Sequence, residues 1–298
     1  MNMPRLVRTV AAYGELRGEM GKVSFVPTMG ALHEGHGSLV RAARAHGDTV
    51  VVSIFVNPTQ FGPAEDLERY PRDLEGDLAK LANWGCDILF HPGAKDIYPQ
   101  GLGAFRVKPP AALADFWCGA SRPGHLEGVC TVVTKLLGLV RPEVALFGQK
   151  DFQQWRVIEA MAEDLALGVD ILRCPTVREP DGLAMSSRNA YLTTEERLRA
   201  RALSRALAHV LAEWKSGVRA VDRLEARGRE AWSTATVSFP EPIDPEYLEV
   251  RPQDLSRARE IEGPGVVAMA ARIGPTRLID NVLLSDDSPD LPLLELLS

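Results

Sequence analysis

The sequence has no long apolar run, few cysteines and no excess of basic residues. No segment approaches the roughly 20 consecutive apolar residues that a membrane-spanning helix needs. The four cysteines lie far apart without a Cys-x-x-Cys pair, which argues against a clustered zinc site and is typical of a reducing compartment. With 34 basic and 40 acidic residues, the net charge of −6 does not suit a broad nucleic-acid surface. We therefore expect a cytoplasmic protein that binds neither membranes nor nucleic acids.

The overall composition is typical of a folded globular protein. Hydrophobic residues make up 45% and charged residues 25% of the 298 residues, which excludes a disordered chain. The first 20 residues carry charges throughout and contain no continuous apolar core, so we expect no secretory signal there. This length allows one large domain or two modest ones.

The first two-thirds of the chain alternates between strand-like and helix-like patterns. Residues 49–56 are nearly all apolar and β-branched, which predicts a strand buried on both faces. Residues 71–84 predict a helix with Pro71 in its first turn and Gly85 after its end. Repetition of this alternation predicts an α/β fold, a Rossmann-like doubly wound parallel sheet, over residues 1–176.

The pattern changes after residue 176. Thr193 and Glu196 have the spacing of a helix capping box, and two charged helical segments follow at 195–215 and 218–232. Strand-like runs then occur at 247–250, 266–273 and 277–284. We therefore expect residues 177–298 to form a smaller α+β domain.

The most distinctive loop, residues 27–36, lies between the first predicted strand and a helix predicted at 36–45. Ligands of open parallel sheets bind beyond the carboxyl ends of the strands. The loop is neither a dinucleotide fingerprint nor a Walker loop, but it contains His33 and His36. If the helix begins near Gly35, its N-terminus would attract phosphate, and the imidazoles could donate hydrogen bonds to it. Two alternatives remain open, ordinary capping histidines or metal ligands, although the spacing is one residue shorter than HExxH.

Four further polar segments could contribute donors. Asn57 and Gln60 follow the apolar strand, Lys150 lies beside a predicted helix N-terminus, and residues 185–189 combine two hydroxyls with a guanidinium. Arg122 is a weaker candidate. Each segment alone is more typical of a turn or a solvated surface. Together they predict a crevice for a nucleoside triphosphate, closed by the second domain.

In this order, the segments resemble the pantoate–β-alanine ligase (pantothenate synthetase) family over nearly the whole chain. The HxGH element alone marks a wider nucleotidyltransferase superfamily, whereas the combination is far more specific. The segments that carry the resemblance are PTMGALHEGH at 27–36, SIFVNPTQFG at 53–62, SRPGH at 121–125, FGQKDFQQ at 147–154, DGLAMSSRN at 181–189 and TRLIDN at 276–281.

The resemblance implies a cytoplasmic homodimeric ligase. Such an enzyme uses ATP with Mg²⁺ to join (R)-pantoate to β-alanine through pantoyl adenylate, releasing AMP and pyrophosphate on the route to coenzyme A. The alternative within the superfamily is a nucleotidylyltransferase acting on a phosphate-bearing substrate. An RNA-binding synthetase and a non-catalytic nucleotide-binding module are further rivals.

The resemblance also implies roles for individual residues. His33, His36 and Lys150 match the catalytic positions, and Gln60 and Gln154 match the pantoate-binding ones. Asn57 and Arg122 join the predicted substrate-binding set because of their positions. Residues 185–188 resemble a variant KMSKS loop. The predicted ATP-contacting residues are Met29, Gly30, Ala31, Leu32, His33, Glu34, Gly35, His36, Gly148, Gln149, Lys150, Asp151, Val177, Met185, Ser186, Ser187 and Arg188.

Four positions depart from the pattern expected of the family. Gln149 and Cys118 stand where Glu is common, Gly37 where Leu is usual and Leu126 where Phe is usual. The first two remove negative charge near the expected site. Two further points stay open at this level. Asp77 and other acidic residues could hold magnesium, but their spacing in the sequence does not identify which one does. Residues 61–70 could form a lid over the adenylate.

Overall fold

The structure, a computed structural model, describes residues 2–62, 67–237, 239 and 244–297. Residues 63–66 of the expected lid therefore lie outside the described residues. The chain divides into two compact units, one of Met1–Gly148 with Gln153–Cys174 and the other of Gln149–Phe152 with Pro175–Ser298. In the described part of the chain, no helix has the length and apolar character needed to cross a membrane.

The first unit alternates strands and helices along the chain. Its longer elements are β1 (Arg5–Val7), α1 (Val10–Arg17), β2 (Val23–Thr28), α2 (Glu34–Ala43), β3 (Thr49–Ile54), α3 (Leu74–Trp84) and β4 (Ile88–Phe90), followed by the short helices α4 (Ala94–Ile97), α5 (Ala111–Ala114) and α6 (Trp117–Ser121), and then by α7 (His125–Val140), β5 (Val144–Gly148), α8 (Phe152–Asp164) and β6 (Asp170–Cys174).

The strands of this unit form one parallel sheet, which confirms the predicted doubly wound α/β class. Its six strands lie in the order β1-β4-β3-β2-β5-β6. Strand β3 pairs with one edge of β2, and β5, which comes later in the chain, pairs with the other edge of β2. A reversal of this kind creates a crevice at the carboxyl ends of the two central strands. The segment with the two histidines follows β2 directly.

Helices cover both faces of this sheet, and this explains the apolar run in β3. Val51 packs in one core with Phe25, whereas Val50 and Val52 pack in the core on the opposite face. All four side chains are fully buried. A parallel strand with helices on both sides has no solvent-facing side, so its sequence shows no alternation.

The second unit is an α+β structure, as predicted. Thr193 and Glu196 form the predicted capping box, with backbone-to-side-chain hydrogen bonds of 2.9 and 3.2 Å in the two directions. The elements of this unit are a 3₁₀ turn at Gln149–Asp151, a 3₁₀ turn at Ser187–Tyr191, α9 (Thr194–Lys215), α10 (Val221–Thr236), β7 (Pro245–Pro252), β8 (Gly265–Ile273), β9 (Thr276–Leu284) and a C-terminal 3₁₀ segment at Leu291–Leu297. The three strands form an antiparallel sheet in the order β7-β8-β9.

Several predicted boundaries were wrong. Helix α3 begins at Leu74 rather than Pro71 because the Asp73 carboxylate accepts from the Gly76 N–H and caps the helix there. The helix predicted to begin beside Lys150, α8, begins at Phe152 after a separate 3₁₀ turn and ends at Asp164. Helix α2 begins two residues earlier than the predicted His36. Element ends depend on such local caps, which apolar periodicity does not report.

A buried carboxylate fixes the segment between β2 and α2. The two Asp77 oxygens accept hydrogen bonds from the backbone N–H groups of Ala31 and Leu32, at 2.9 and 2.8 Å. Lys80 donates to the Leu32 carbonyl at 2.7 Å. Burial raises the pKa of the Asp77 carboxyl, while the two N–H groups and Lys80 act in the opposite direction. Helix α3 therefore sets the path of the histidine segment.

Close packing explains glycine at position 37. A Cβ atom built on Gly37 would lie 2.5 Å from the Trp84 ring, which is too close for any real contact. The indole of α3 therefore occupies the space that a side chain on α2 would need. The position of Trp84 therefore explains why residue 37 is glycine and not the expected leucine.

This packing predicts that replacing Gly37 by alanine destabilises the protein, which is opposite to the usual effect of this substitution within a helix. Gly→Ala inside a helix ordinarily stabilises by roughly 0.5–1 kcal/mol. We expect Gly37→Ala instead to lower the free energy of unfolding by about 1–3 kcal/mol through overpacking. Gly138→Ala in α7 is the matched control, since its added methyl group would meet no described atom within 4 Å beyond its chain neighbours and the backbone of its own helix. Thermal and urea unfolding would measure both. Equal stabilisation by the two substitutions would contradict the packing argument.

Candidate active site

The two histidines lie together at the N-terminus of α2. His33 is the N-cap residue in extended conformation, and His36 occupies the third helical position. Their ring centroids are 4.1 Å apart. His36 Nδ1 accepts from the His33 backbone N–H at 3.3 Å, so a neutral His36 carries its proton on Nε2. One imidazole donor is thus oriented beside a helix N-terminus, where phosphate is favoured.

Gln60 lies in a network of polar side chains after β3. Its Nε2 contacts Met29 Sδ at 2.9 Å, and its Oε1 accepts from Asn57 Nδ2 at 3.1 Å. Asn57 is fully buried, donates also to the Gly128 carbonyl and accepts from the Tyr98 hydroxyl. The side-chain amide of Asn57 therefore makes hydrogen bonds to other groups of the protein. Its effect on a ligand would act through the orientation of Gln60.

The backbone of Gln60 has its own support. His125 Nδ1 lies 2.9 Å from the Gln60 carbonyl oxygen, and Arg122 Nη1 lies 3.0 Å from His125 Nε2. Since the carbonyl can only accept, Nδ1 donates and Nε2 accepts from the guanidinium. Arg122 also donates to the Gln60 carbonyl at 3.4 Å. The structure thus joins two predicted residues, Arg122 and Gln60, through His125.

The two consecutive glutamines of α8 have different environments. Gln153 is buried, accepts from the Cys118 N–H at 3.0 Å and donates to the carbonyls of Leu113 and Phe116. Gln154 is only partly buried. Gln153 therefore orients the segment that contains Cys118, and Gln154 is the member of the pair that suits substrate contact.

The remaining predicted residues lie in the second unit, apart from Gly148 at the end of β5. Lys150 lies in the 3₁₀ turn with its Nζ 3.5 Å from an Asp151 carboxylate oxygen. The Met185 N–H donates to the Val177 carbonyl at 3.0 Å, which closes a hairpin before the variant KMSKS segment. Ser186 Oγ accepts from the Arg188 N–H at 3.3 Å, so this segment begins with a side-chain cap. Gln149 is buried, and its amide donates to Asp290.

Four contributing residues were not singled out from the sequence as site residues: Asp77, Tyr98, His125 and Gln153. His125 stands inside the quoted SRPGH segment, where a glycine with φ of 82° precedes α7. Asp77 and Tyr98 act on residues 45 and 41 positions away, respectively. Such pairings depend on strand order, and no local pattern reveals them.

No cluster of three or more His, Cys, Asp or Glu side chains suited to a metal occurs within residues 2–62, 67–237, 239 and 244–297. Both oxygens of Asp77 already accept backbone N–H groups. Mg²⁺ commonly keeps several waters and binds substrate phosphates with only one or two protein carboxylates. We therefore assign no magnesium ligand among the described residues, and Asp77 holds the backbone of the histidine segment.

The chain is similar to one family of known proteins over most of its length. The family model described as pantoate–β-alanine ligase matches residues 4–283. A pantothenate synthetase of Rubrobacter xylanophilus is 48% identical over 293 residues, covering 95% of this chain and 98% of the relative. One from Pelobacter propionicus is 50% identical over 272 residues, covering 89% and 92%.

Solved structures show the same similarity. Pantothenate synthetase from Thermus thermophilus superposes with a TM-score of 0.85 at 45% identity, covering 93% of this chain and 98% of the other. The pantoate–β-alanine ligase of Francisella tularensis, in complex with "Beta-gamma ATP" and β-alanine, gives 0.75 at 34% identity, with 94% and 98% covered. The chain belongs to the pantoate–β-alanine ligase family.

Proposed function

We propose that the chain joins (R)-pantoate to β-alanine in two steps, with ATP as the activating substrate. The enzyme class follows from the family, a ligase that forms a C–N bond and releases AMP. The observation that carries the site assignment is the pair of adjacent imidazoles, His33 and His36, at the N-terminus of α2, in the segment after the central strand. Donors at this place suit a triphosphate whose α-phosphorus is attacked.

In the first step, a pantoate carboxylate oxygen attacks the α-phosphorus of ATP. The new P–O bond gives pantoyl adenylate, and pyrophosphate departs with the electrons of the broken P–O bond. A bare carboxylate is a poor acyl donor because oxide would have to leave, whereas AMP is a good leaving group. The protein mainly positions the reactants and offsets developing charge. We assign charge stabilisation to His33, His36 and Lys150.

Gln60 and Gln154 orient pantoate in this proposal. Gln60 is suited to this role because Asn57, Arg122 and His125 support its amide and its backbone. In the second step, the neutral amine of β-alanine attacks the acyl carbon. The C–N bond forms, the amine loses a proton and AMP leaves with the acyl oxygen that the first step activated.

The predicted ATP-contacting residues come from both domains predicted from the sequence. Domain 1–176 supplies residues 29–36 and Gly148, and domain 177–298 supplies Val177 and residues 185–188. The turn of residues 149–151 supplies Lys150 and Asp151. We further propose a cytoplasmic homodimer, supported by the four free cysteines and by the family resemblance. Mg²⁺ neutralises triphosphate charge when bound, and phosphates and water would supply most of its ligands.

Two substitutions test the charge-stabilising roles. Loss of one donor that acts on transition-state charge typically lowers the rate about 10²–10³-fold. We expect Lys150→Ala and His36→Ala each to lose turnover on this scale while circular dichroism and thermal unfolding show a folded protein. Steady-state pantothenate formation would measure both. Near-normal turnover in both variants would show that the roles are wrongly assigned.

Product analysis tests the reaction itself. With ATP and pantoate in large excess over the enzyme, we expect multiple-turnover AMP release only after β-alanine is added, in a one-to-one ratio with pantothenate. The physical reason is that the adenylate waits for an amine. Chromatography of the nucleotides gives the answer. A dinucleotide or nucleotidylated phosphate ester would instead identify the nucleotidylyltransferase alternative.

A further inference from the structure

We infer that Asn281 and Asp290, near the end of the chain, are positioning residues for Lys150. The inference rests on the proposed role of Lys150. Asn281 lies in β9 and is buried. Its Nδ2 donates to the carbonyls of Gln149 and Lys150, at 3.0 and 2.8 Å. Both amide hydrogens of one side chain thus fix consecutive carbonyls of the turn that carries Lys150.

A second contact fixes the same turn through a side chain. Gln149 Nε2 donates to Asp290 Oδ2 at 2.8 Å and lies 3.4 Å from Asn281 Oδ1. Asp290 Oδ2 also accepts from the Leu283 N–H at 2.9 Å, which ties it to β9. The turn of residues 149–151 is therefore bonded at its backbone and at a side chain to one strand and the segment that follows it.

The neighbouring residue of β9 fixes another candidate segment. Asp280 accepts two hydrogen bonds from Arg178, at 2.7 and 3.0 Å. Arg178 donates further to the carbonyls of Gly182 and Asn281, both at 3.2 Å. These contacts orient the hairpin that ends at Met185. Consecutive residues of β9 therefore hold the Lys150 turn and the hairpin that leads to Met185.

This geometry matters because catalytic groups tolerate little displacement. A shift of about 1 Å in a positioned group can lower a rate about 10²-fold. The Lys150 side chain is long and flexible, so fixing its backbone restricts the positions that its ammonium group can reach. Asn281 does this from a strand whose place is set by the antiparallel sheet. The bonding pattern is that of a support behind a reactive side chain.

The charge of the cluster explains why glutamine suits position 149. Arg178 brings one positive charge, while Asp280 and Asp290 bring two negative ones, and all three residues are largely buried. Burial raises the pKa of the Asp290 carboxyl, and the Gln149 amide stabilises its charged form. A charged glutamate at position 149 would face Asp290 as a second buried carboxylate and would lack the hydrogen-bond donor that now contacts Asp290 Oδ2. The neutral amide supplies that donor.

The first test replaces Asn281 by leucine, which is similar in shape and has no donor. We expect Asn281→Leu to lower kcat of pantoate-dependent pyrophosphate exchange about 10- to 100-fold, with the KM for pantoate within about threefold of the parent. Thr236→Val is the control, since it removes a buried hydrogen bond in α10 of the same unit. The control should keep its kcat. Parental kcat in folded Asn281→Leu would overturn the inference.

The second test uses charge and stays informative if Asn281→Leu fails to fold. We expect Gln149→Glu to lower the exchange kcat about tenfold or more, and added Asp290→Asn to restore most of it, since one carboxylate and one amide again face each other. No loss in Gln149→Glu, or no recovery in the double variant, would overturn the inference. Absence of exchange in the parent enzyme would instead overturn the proposed function, and normal exchange in Lys150→Ala would overturn the role of Lys150 on which the inference rests.

Discussion

A single buried carboxylate determines where the two histidines stand. Asp77 on α3 accepts the N–H groups of Ala31 and Leu32 with its two oxygens. Hydrogen bonds to a charged acceptor are worth about 1.5–3 kcal/mol each, and leaving a buried partner unsatisfied costs a similar amount. The segment after the central strand is therefore fixed from outside, before α2 begins. Everything proposed for His33 and His36 depends on that path.

The same arrangement recurs around the other candidate groups. His125, Arg122 and Asn57 fix Gln60, and Asn281 with Asp290 fixes the turn that carries Lys150. In each case a polar side chain from a distant part of the chain bonds the backbone or amide of a residue assigned to substrate. Because activation of a carboxylate by ATP relies mainly on positioning, such supports are an expected part of the catalyst.

The sequence predicts the architecture better than the supports. The apolar run of β3 and the Thr193–Glu196 capping box are local patterns, so the doubly wound sheet and the start of α9 followed from them. The start of α3 was missed because Asp73 caps it where Pro71 had suggested an earlier start. The contact of Asn281 with Lys150 spans 131 residues and depends on tertiary packing alone. Gly37 likewise became intelligible only beside Trp84.

The role of Asp77 is tested most directly by comparing two variants, Asp77→Asn and Asp73→Asn, for pantoate-dependent exchange of labelled pyrophosphate into ATP. Both substitutions lie at α3, but asparagine caps a helix nearly as well as aspartate, whereas at position 77 its NH₂ group would face a backbone N–H. We expect about tenfold or greater loss of exchange in Asp77→Asn and near-parental exchange in Asp73→Asn. Equal exchange in the two folded variants would contradict this role of Asp77.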